Sequence, residues 1–107
     1  NEGLVLVGKL HYGDAEFEFD DWSLAHLQVI ISTKLRRAEN FFLSWDEPSQ
    51  PSDERVAIWI DNGVPIYFQY SSAKQAPINR QWLEKLSTQS SSSSGIHLTG
   101  KAVPKEN

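Results

Sequence analysis

The stretch FEFDDWSLAHLQVIISTKLRRAENFFLSW, residues 17–45, decides the fold, because the spacing of its apolar residues changes twice. Phe17 and Phe19 alternate with charged residues, which is the two-residue period of a half-buried strand. From Trp22 the apolar residues recur at helical spacing, and from Phe41 large apolar residues follow one another again. The stretch therefore predicts a strand, a helix and another strand in direct succession.

The predicted helix runs from about Trp22 to Arg37, and Asp20 or Asp21 before it is a residue type that caps helix N-termini. The stripe that would pack on a sheet is Leu24, Leu27, Ile31, Leu35 and Ala38. At about 100° per residue, the opposite side carries His26, Thr33, Arg36 and Arg37, with Lys34 on the flank.

The rest of the chain predicts further strands and a second helix. A hairpin is expected over residues 4–20 with its turn at Gly13–Asp14, and two more strands over 55–60 and 64–70 around the tight turn DNG at 61–63. Asn79 is expected to cap the second helix, whose buried side is Trp82, Leu83 and Leu86. Residues 96–99 are a candidate last strand.

These elements predict one α+β domain over residues 1–107. The expected architecture is an antiparallel sheet of five to six strands in the order β-β-α-β-β-β-α-β, with two helices on one face. The segments expected to be flexible are 46–54, which has two prolines and four acids, the serine-rich 87–95, and the polar 100–107.

Composition narrows the classes of function. The 14 acidic residues outnumber the 10 basic ones and give a formal charge of −4, which disfavours nucleic acid as a partner. The absence of cysteine excludes disulfides, thiolate metal sites and cysteine catalysis, and it fits a reducing, cytoplasmic setting. The longest apolar run, residues 4–7, is too short for a membrane span. No cofactor and no membrane association are predicted.

Aromatic side chains suggest a contact surface on the outer face of the sheet. If Val56, Ile58 and Ile60 face the helices, alternation sends Trp59 outward, with Tyr67 on the neighbouring strand. Phe42 or Trp45 would join them, depending on the register of their strand. The candidate partner-binding residues are therefore Trp59, Tyr67, Phe42 and Trp45, either as a cross-strand cluster shielded by long side chains or as an interface with a protein partner or a second copy.

The basic cluster Lys34, Arg36 and Arg37 has two interpretations. Bases at a helix C-terminus complement the macrodipole, with Asp20 and Asp21 at the other end. The alternative is a site for an anion or an acidic partner.

Other polar residues give weaker signals. His11, His26 and His97 lie far apart and lack the spacing of metal ligands, which indicates surface or structural histidines. Glu16, Glu18 and Asp20 share one strand face, as carboxylates of an acid–base pair or of a solvated face would. No nucleophile motif and no glycine-rich phosphate loop is present, so no catalytic or metal-binding residue is predicted.

Several segments together resemble a known family. They are VGKLHYG at 7–13, DDWSLAHLQVIISTKLRRAENFFLSW at 20–45, IWIDNGVPIYFQY at 58–70, and INRQWLEKL with SSSSGIHL within 78–98. The family resembled is one of short uncharacterised actinobacterial proteins that often carry the automatic name ATP-dependent DNA ligase. A nucleotidyl-transferring ligase needs the lysine of a K-x-D-G motif, and the IDNG at 60–63 has none. The resemblance draws attention to KLRR at 34–37 and SW at 44–45, which recur in that family.

The leading hypothesis from the sequence is a small non-catalytic module that binds a protein partner, or itself, through an aromatic outer sheet face. The alternative is a nucleic-acid-associated accessory module, ligase-like by name, that uses the basic end of the first helix.

Overall fold

The computed structural model describes residues 7–47 and 54–98. Within these residues the chain forms six strands and two helices in the predicted order, and the α+β class is confirmed. The elements are β1 (Val7–Tyr12), β2 (Ala15–Asp20), α1 (Asp21–Arg36), β3 (Phe41–Glu47), β4 (Glu54–Ile60), β5 (Ile66–Gln69), α2 (Arg80–Ser90) and β6 (Ile96–Leu98). Residues 4–6, 48–53 and 99–107 lie outside the described residues. They include the start of the predicted hairpin, the middle of the predicted flexible segment 46–54, all of the segment 100–107 and the last residue of the candidate final strand. The ends of segment 46–54 belong to β3 and β4.

The strands form two sheets, so the prediction of one antiparallel sheet is wrong. One sheet has the order β2-β1-β5 and is antiparallel throughout. The other has the order β4-β3-β6, and β6 runs parallel to β3. The helices divide between them, since α1 packs on β1 and β2 whereas α2 packs on β6 and β3.

The turn after β4 explains the division. The DNG turn does not fold β5 back onto β4, because the chain crosses to the first sheet and pairs β5 with β1. The crossing is held by a hydrogen bond of 2.8 Å from the Gly13 amide to the Pro65 carbonyl. The hydroxyl of Tyr12 donates to the Trp59 carbonyl and accepts from the Asp61 amide at 2.9 Å. Tyr12 therefore gives a side-chain partner to the Trp59 carbonyl and the Asp61 amide, at the end of β4 where a hairpin with β5 would have begun.

Helix α1 has well-defined ends. Its N-cap is Asp20, whose carboxylate accepts from the Ser23 amide at 3.0 Å and from the Ser23 hydroxyl at 2.9 Å. At the other end, Glu39 donates to the Lys34 carbonyl at 2.9 Å and Ala38 donates to the Leu35 carbonyl at 3.0 Å. This pair of bonds is the Schellman motif, with Ala38 at φ 59° where glycine is usual.

The core lies between the inner faces of both sheets and the buried side of α1. Trp45 is fully buried there and meets Phe17 and Phe19 edge-on, with ring centroids 5.0 and 4.9 Å apart. Because these phenylalanines belong to the first sheet and Trp45 to the second, the contact joins the two sheets. The buried apolar residues are Leu10, Phe19, Leu24, Leu27, Ile30, Ile31, Phe41, Leu43, Trp45, Ile60, Leu86, Ile96 and Leu98.

Helix α2 begins as expected, since the Asn79 side chain accepts from the Trp82 amide at 2.9 Å. It continues to Ser90, so the first residues of the predicted serine-rich connector are helical. His26, expected on the solvent side of α1, is fully buried where α1 meets α2. The reason is that Trp22 and Trp82 enclose its ring at centroid distances of 4.0 and 5.0 Å.

Candidate interaction surface

Phe42 and Trp59 lie side by side on the solvent face of the second sheet, and we call this pair the aromatic patch. They are direct partners in the register of β3 and β4. Their rings meet edge-on at 4.8 Å, and the two side chains remain 40% and 48% exposed. The pair alternates with the core residues Phe41, Leu43 and Ile60, so strand periodicity fixes its outward position.

The aromatic patch forms one wall of a groove of about 410 Å³. The remaining walls come from the last turn of α1 and the residues after it, and from the end of α2 and the turn that follows it. The lining residues are Lys34, Glu39, Asn40, Phe41, Phe42, Trp59, Ser90, Ser91, Ser92 and Ser93. The lining of the groove thus combines aromatic rings with an ion pair and hydroxyl groups.

The basic end of α1 adjoins this groove through Lys34. The Lys34 ammonium lies 3.1 Å from the Glu39 carboxylate, and its side chain is only 13% exposed. Arg36 and Arg37 are exposed, and neither forms an ion pair within residues 7–47 and 54–98. Of the three candidate anion-binding residues, the two arginines are therefore the ones with a charge open to solvent.

The structure separates the four candidate partner-binding residues. Phe42 and Trp59 share the patch, whereas Trp45 is fully buried and cannot contact a partner without unfolding. Tyr67 lies on the first sheet, where its ring stacks on His11 at 4.1 Å with an interplanar angle of 6°. The expectation that Tyr67 neighbours Trp59 is wrong, because β5 pairs with β1.

The outer face of the first sheet is polar. His11 lies 2.8 Å from the Gln69 amide oxygen, and its other ring nitrogen is 3.7 Å from Glu16. Glu16 also forms an ion pair of 3.3 Å with Lys9. Of the carboxylates of β2, Glu16 therefore has basic neighbours and Asp20 caps α1. They do not converge on a cleft.

Ser44, His97 and Asp46 assemble a constellation that sequence spacing did not indicate. The Ser44 hydroxyl lies 3.0 Å from His97 Nδ1, and His97 Nε2 lies 3.7 Å from Asp46. Ser44 is only 1% exposed and also donates to the Ile96 carbonyl at 3.3 Å. A substrate carbonyl has no approach to this oxygen, so the three residues join β6 to β3 instead of activating a nucleophile. The only sequence signal was alternation, which cannot reveal a parallel pairing across more than fifty residues.

Sequence reasoning also missed a second cavity, of about 720 Å³, between the outer face of α1 and the segment 70–78. The partly exposed apolar side chains of Val29 and Ile78 line it, and the Tyr70 hydroxyl donates to the Gln28 amide oxygen there at 2.6 Å. Burial, with the Asp21 carboxylate as a smaller cause, raises the pKa of Tyr70. The residues that line this cavity come mostly from the segment 70–78, which forms no helix or strand. No sequence periodicity could therefore predict which of its side chains face the cavity.

Across residues 7–47 and 54–98, no three histidine, aspartate or glutamate side chains converge as metal ligands would. In the same residues, neither helix is long and apolar enough to cross a membrane.

The fold and the patch define the class as a small α+β domain with two three-stranded sheets and a solvent-facing aromatic pair. The sequence model of one family, described as Domain of unknown function (DUF7882), matches residues 7–101, and the chain belongs to that family. Comparison with curated proteins and with solved structures gave no significant match. The family description names no activity, so the name ATP-dependent DNA ligase gains no support.

Proposed function

We propose that the chain is a non-catalytic module that binds a protein partner through the aromatic patch. The observation that carries the proposal is the pair itself: two large aromatic side chains in contact, each close to half exposed, on a sheet face. Tryptophan and other aromatic residues are enriched at the energetic centres of protein interfaces. Their rings bury much apolar area while losing few rotatable bonds on binding.

The surroundings of the patch fit an extended peptide segment of the partner. The groove beside Trp59 offers an apolar wall for an anchoring side chain and serine hydroxyls for hydrogen bonds to a peptide backbone. Polar groups around an apolar centre are the usual composition of a protein interface. Truncating an aromatic anchor of this kind typically weakens binding by about 2 kcal/mol or more.

A second candidate function is contact with nucleic acid. It is favoured by Arg36 and Arg37, which are exposed at the end of α1, and by Lys34, which shares the groove with Trp59. Arginines on phosphates and a base stacked on Trp59 would be the expected mode. The net charge of −4 opposes this candidate, which is why the protein partner ranks first.

The experiment that tests the protein-binding proposal is selection of a phage-displayed random peptide library on the immobilised chain. We expect enriched peptides whose binding is lost in the double variant Phe42→Ser/Trp59→Ser. Tyr67→Ser is the matched control, because Tyr67 is an aromatic residue of the other sheet with 57% of its surface exposed. Binding should survive in the control.

Two outcomes would overturn the proposal. One is a selection on a monomeric chain that enriches no peptide, or a selection whose peptides all bind the double variant equally well. The other is affinity for labelled single-stranded or duplex DNA that falls steeply with salt and is lost in Arg36→Ala/Arg37→Ala, without any peptide binding. That second result would establish the nucleic-acid candidate instead.

A further inference from the structure

Within residues 7–47 and 54–98, the two sheets have four outer edge strands, and β4 is the longest of them with 7 residues. Strand β6 has 3 residues, and β5 has 4 and follows Pro65. Strand β2 carries the like charges of Glu16 and Glu18. Short length, proline and like charges are the features that keep natural edge strands from pairing with other chains. Strand β4 has no proline and one residue of each charge, so it lacks this protection.

The backbone groups of alternate residues on β4 face this open edge. A Cβ on Gly95 would lie 2.2 Å from the Phe42 carbonyl oxygen, so the peptide groups of Phe42 face β6. Its register partner Trp59 must then direct its own amide and carbonyl away from β3, as in a non-hydrogen-bonded pair. By the two-residue period, Arg55 and Ala57 present their backbone groups to the same edge.

Tyr12 sets where pairing along this edge must stop. Its hydroxyl bridges the Trp59 carbonyl and the Asp61 amide, which lie on the open side of the strand. An incoming strand therefore cannot continue the ladder past Trp59. The Trp59 carbonyl keeps a second lone pair for one more donor, so the edge remains available from Arg55 to Trp59.

The segment from Arg55 to Trp59 is complementary to itself when two copies run antiparallel about Ala57. On the solvent face, Arg55 of one copy lies opposite Trp59 of the other, which permits a cation–π contact in both halves of the pair. On the inner face, Val56 lies opposite Ile58, and both of these side chains are half-buried in the single chain. Small Ala57 residues meet at the two-fold axis. This register places every open backbone group of the segment opposite a partner.

We propose that two copies of the chain associate by antiparallel pairing of β4 in this register, which joins their second sheets into one six-stranded sheet. The inference rests on the proposed function, since it assigns a second copy as the partner that covers Trp59. Each copy would contribute one half of a continuous surface made by Phe42, Trp59 and the Arg55 of its neighbour.

Site-specific cross-linking tests the register directly, because the chain contains no cysteine of its own. A short bismaleimide should link Ala57→Cys into a dimer about tenfold or more faster than Ala15→Cys, because thiols at a two-fold axis have a high effective concentration. Ala15 is the matched control, as an exposed alanine on the β2 edge. Equal cross-linking rates for the two variants would overturn the proposal.

Sedimentation equilibrium over a range of concentrations gives the second measurement. The wild type should dimerise reversibly, and Ala57→Pro should not, since proline removes the central amide of the open edge without removing a bond to β3. Trp59→Arg places like charges opposite Arg55 and should weaken the dimer about tenfold or more. Adding Arg55→Trp restores the opposite pairs in exchanged positions and should restore dimerisation.

The outcomes separate this inference from the proposed function. A double variant Arg55→Trp/Trp59→Arg that associates no better than Trp59→Arg overturns the register, whether or not Ala57→Pro folds. If the wild type is monomeric at every concentration and still selects peptides through Phe42 and Trp59, the pairing is overturned and the protein-binding proposal stands. If it is monomeric and selects no peptide, both are overturned.

Discussion

His26 illustrates what one buried residue contributes to this fold. Its Nδ1 donates to the Trp22 carbonyl at 2.7 Å, and its Nε2 accepts from the Asn79 amide at 2.8 Å. These two bonds require a neutral ring protonated on Nδ1. Burial lowers the pKa of His26 below its ordinary value of 6.5, against smaller raising effects from the Trp22 carbonyl and Asp20. Protonation of His26 at Nε2 would bring an N–H donor against the Asn79 amide, which is also a donor, and the hydrogen bond at the start of α2 would be lost.

The first prediction is that stability depends on pH through His26. Because its pKa is lower in the folded than in the unfolded chain, His26 contributes full stability above about pH 6.5, and this contribution is lost as pH falls through the folded pKa. Urea unfolding at a series of pH values measures this. In His26→Ala the acid-side slope between about pH 6.5 and 5 should flatten, and stability at neutral pH should fall by about 2–4 kcal/mol.

The matched control for this prediction is His11→Ala, because His11 lies on the outer face of the first sheet. It should keep the slope of the wild type. A His26→Ala variant with an unchanged slope would show that other groups set the pH dependence.

His26 also marks a limit of prediction from sequence. A helical projection assigns a residue to one side of a cylinder, and His26 fell opposite the stripe of Leu24, Leu27 and Ile31. The second helix packs on α1 from that other direction, through contacts between residues more than fifty positions apart. No local pattern encodes that direction, so neither the burial of His26 nor the ring contact between Trp22 and Trp82 could be predicted.

At the scale of elements, the end of α1 carries a residue that is not the best one for its backbone conformation. Ala38 adopts φ 59°, which crowds the Cβ of any L-residue. Both Schellman hydrogen bonds form around it, so the rest of the motif holds Ala38 there.

The second prediction is that Ala38→Gly stabilises the chain. Glycine removes the steric cost at φ 59°, and part of the gain is offset by its greater freedom in the unfolded chain. We expect a net gain of about 0.5–1 kcal/mol in the free energy of unfolding. Chemical denaturation measures it, with Ala25→Gly inside α1 as the control, which should lose about 1 kcal/mol. A loss of stability in Ala38→Gly would contradict the assigned conformation.

The helices and strands themselves were predicted best from the sequence, because the signals that define them are local. The caps Asp20 and Asn79 stand within three residues of the amides they bind, and the turn of the first hairpin requires the positive φ of Gly13. The boundaries of α1 and of strands β3 and β4 follow from the same short-range rules. Alternation likewise placed Trp59 outward, while the choice between Phe42 and Trp45 needed the register with β4.

At the scale of the whole molecule, Tyr12 ties the two sheets together. It belongs to β1 of the first sheet, and its hydroxyl bonds to the backbone of Trp59 and Asp61 at the end of β4 in the second. This contact and the edge-on packing of Trp45 on Phe17 and Phe19 join the two sheets, and rules for pairing strands from sequence could not predict either of them. The partner of each strand is chosen by such long-range contacts, which is why one sheet was predicted and two are present.

The third prediction is that Tyr12→Phe lowers the free energy of unfolding. Losing the hydroxyl leaves the Asp61 amide and the Trp59 carbonyl without this partner, which should cost about 1–3 kcal/mol. Tyr67→Phe removes a hydroxyl from the exposed side chain that stacks on His11 and should change stability by less than about 0.5 kcal/mol. Thermal and urea unfolding of both variants compare the two effects. Equal losses in the two variants would mean that the hydroxyl of Tyr12 does not join the sheets.

The parallel pairing of β6 with β3 has a consequence for the chain during its synthesis. Strand β4 follows β3 closely and can form its hairpin as soon as both leave the ribosome, whereas β6 leaves some fifty residues after β3. Until then the nascent domain lacks the strand that covers Leu43 and Trp45 from the second side. Closing so long a loop is entropically slow, and an uncovered apolar edge is a site for chaperones and for aggregation. Ribosomes stalled shortly before Ile96 should therefore carry a chain with its hairpins formed and its second sheet open.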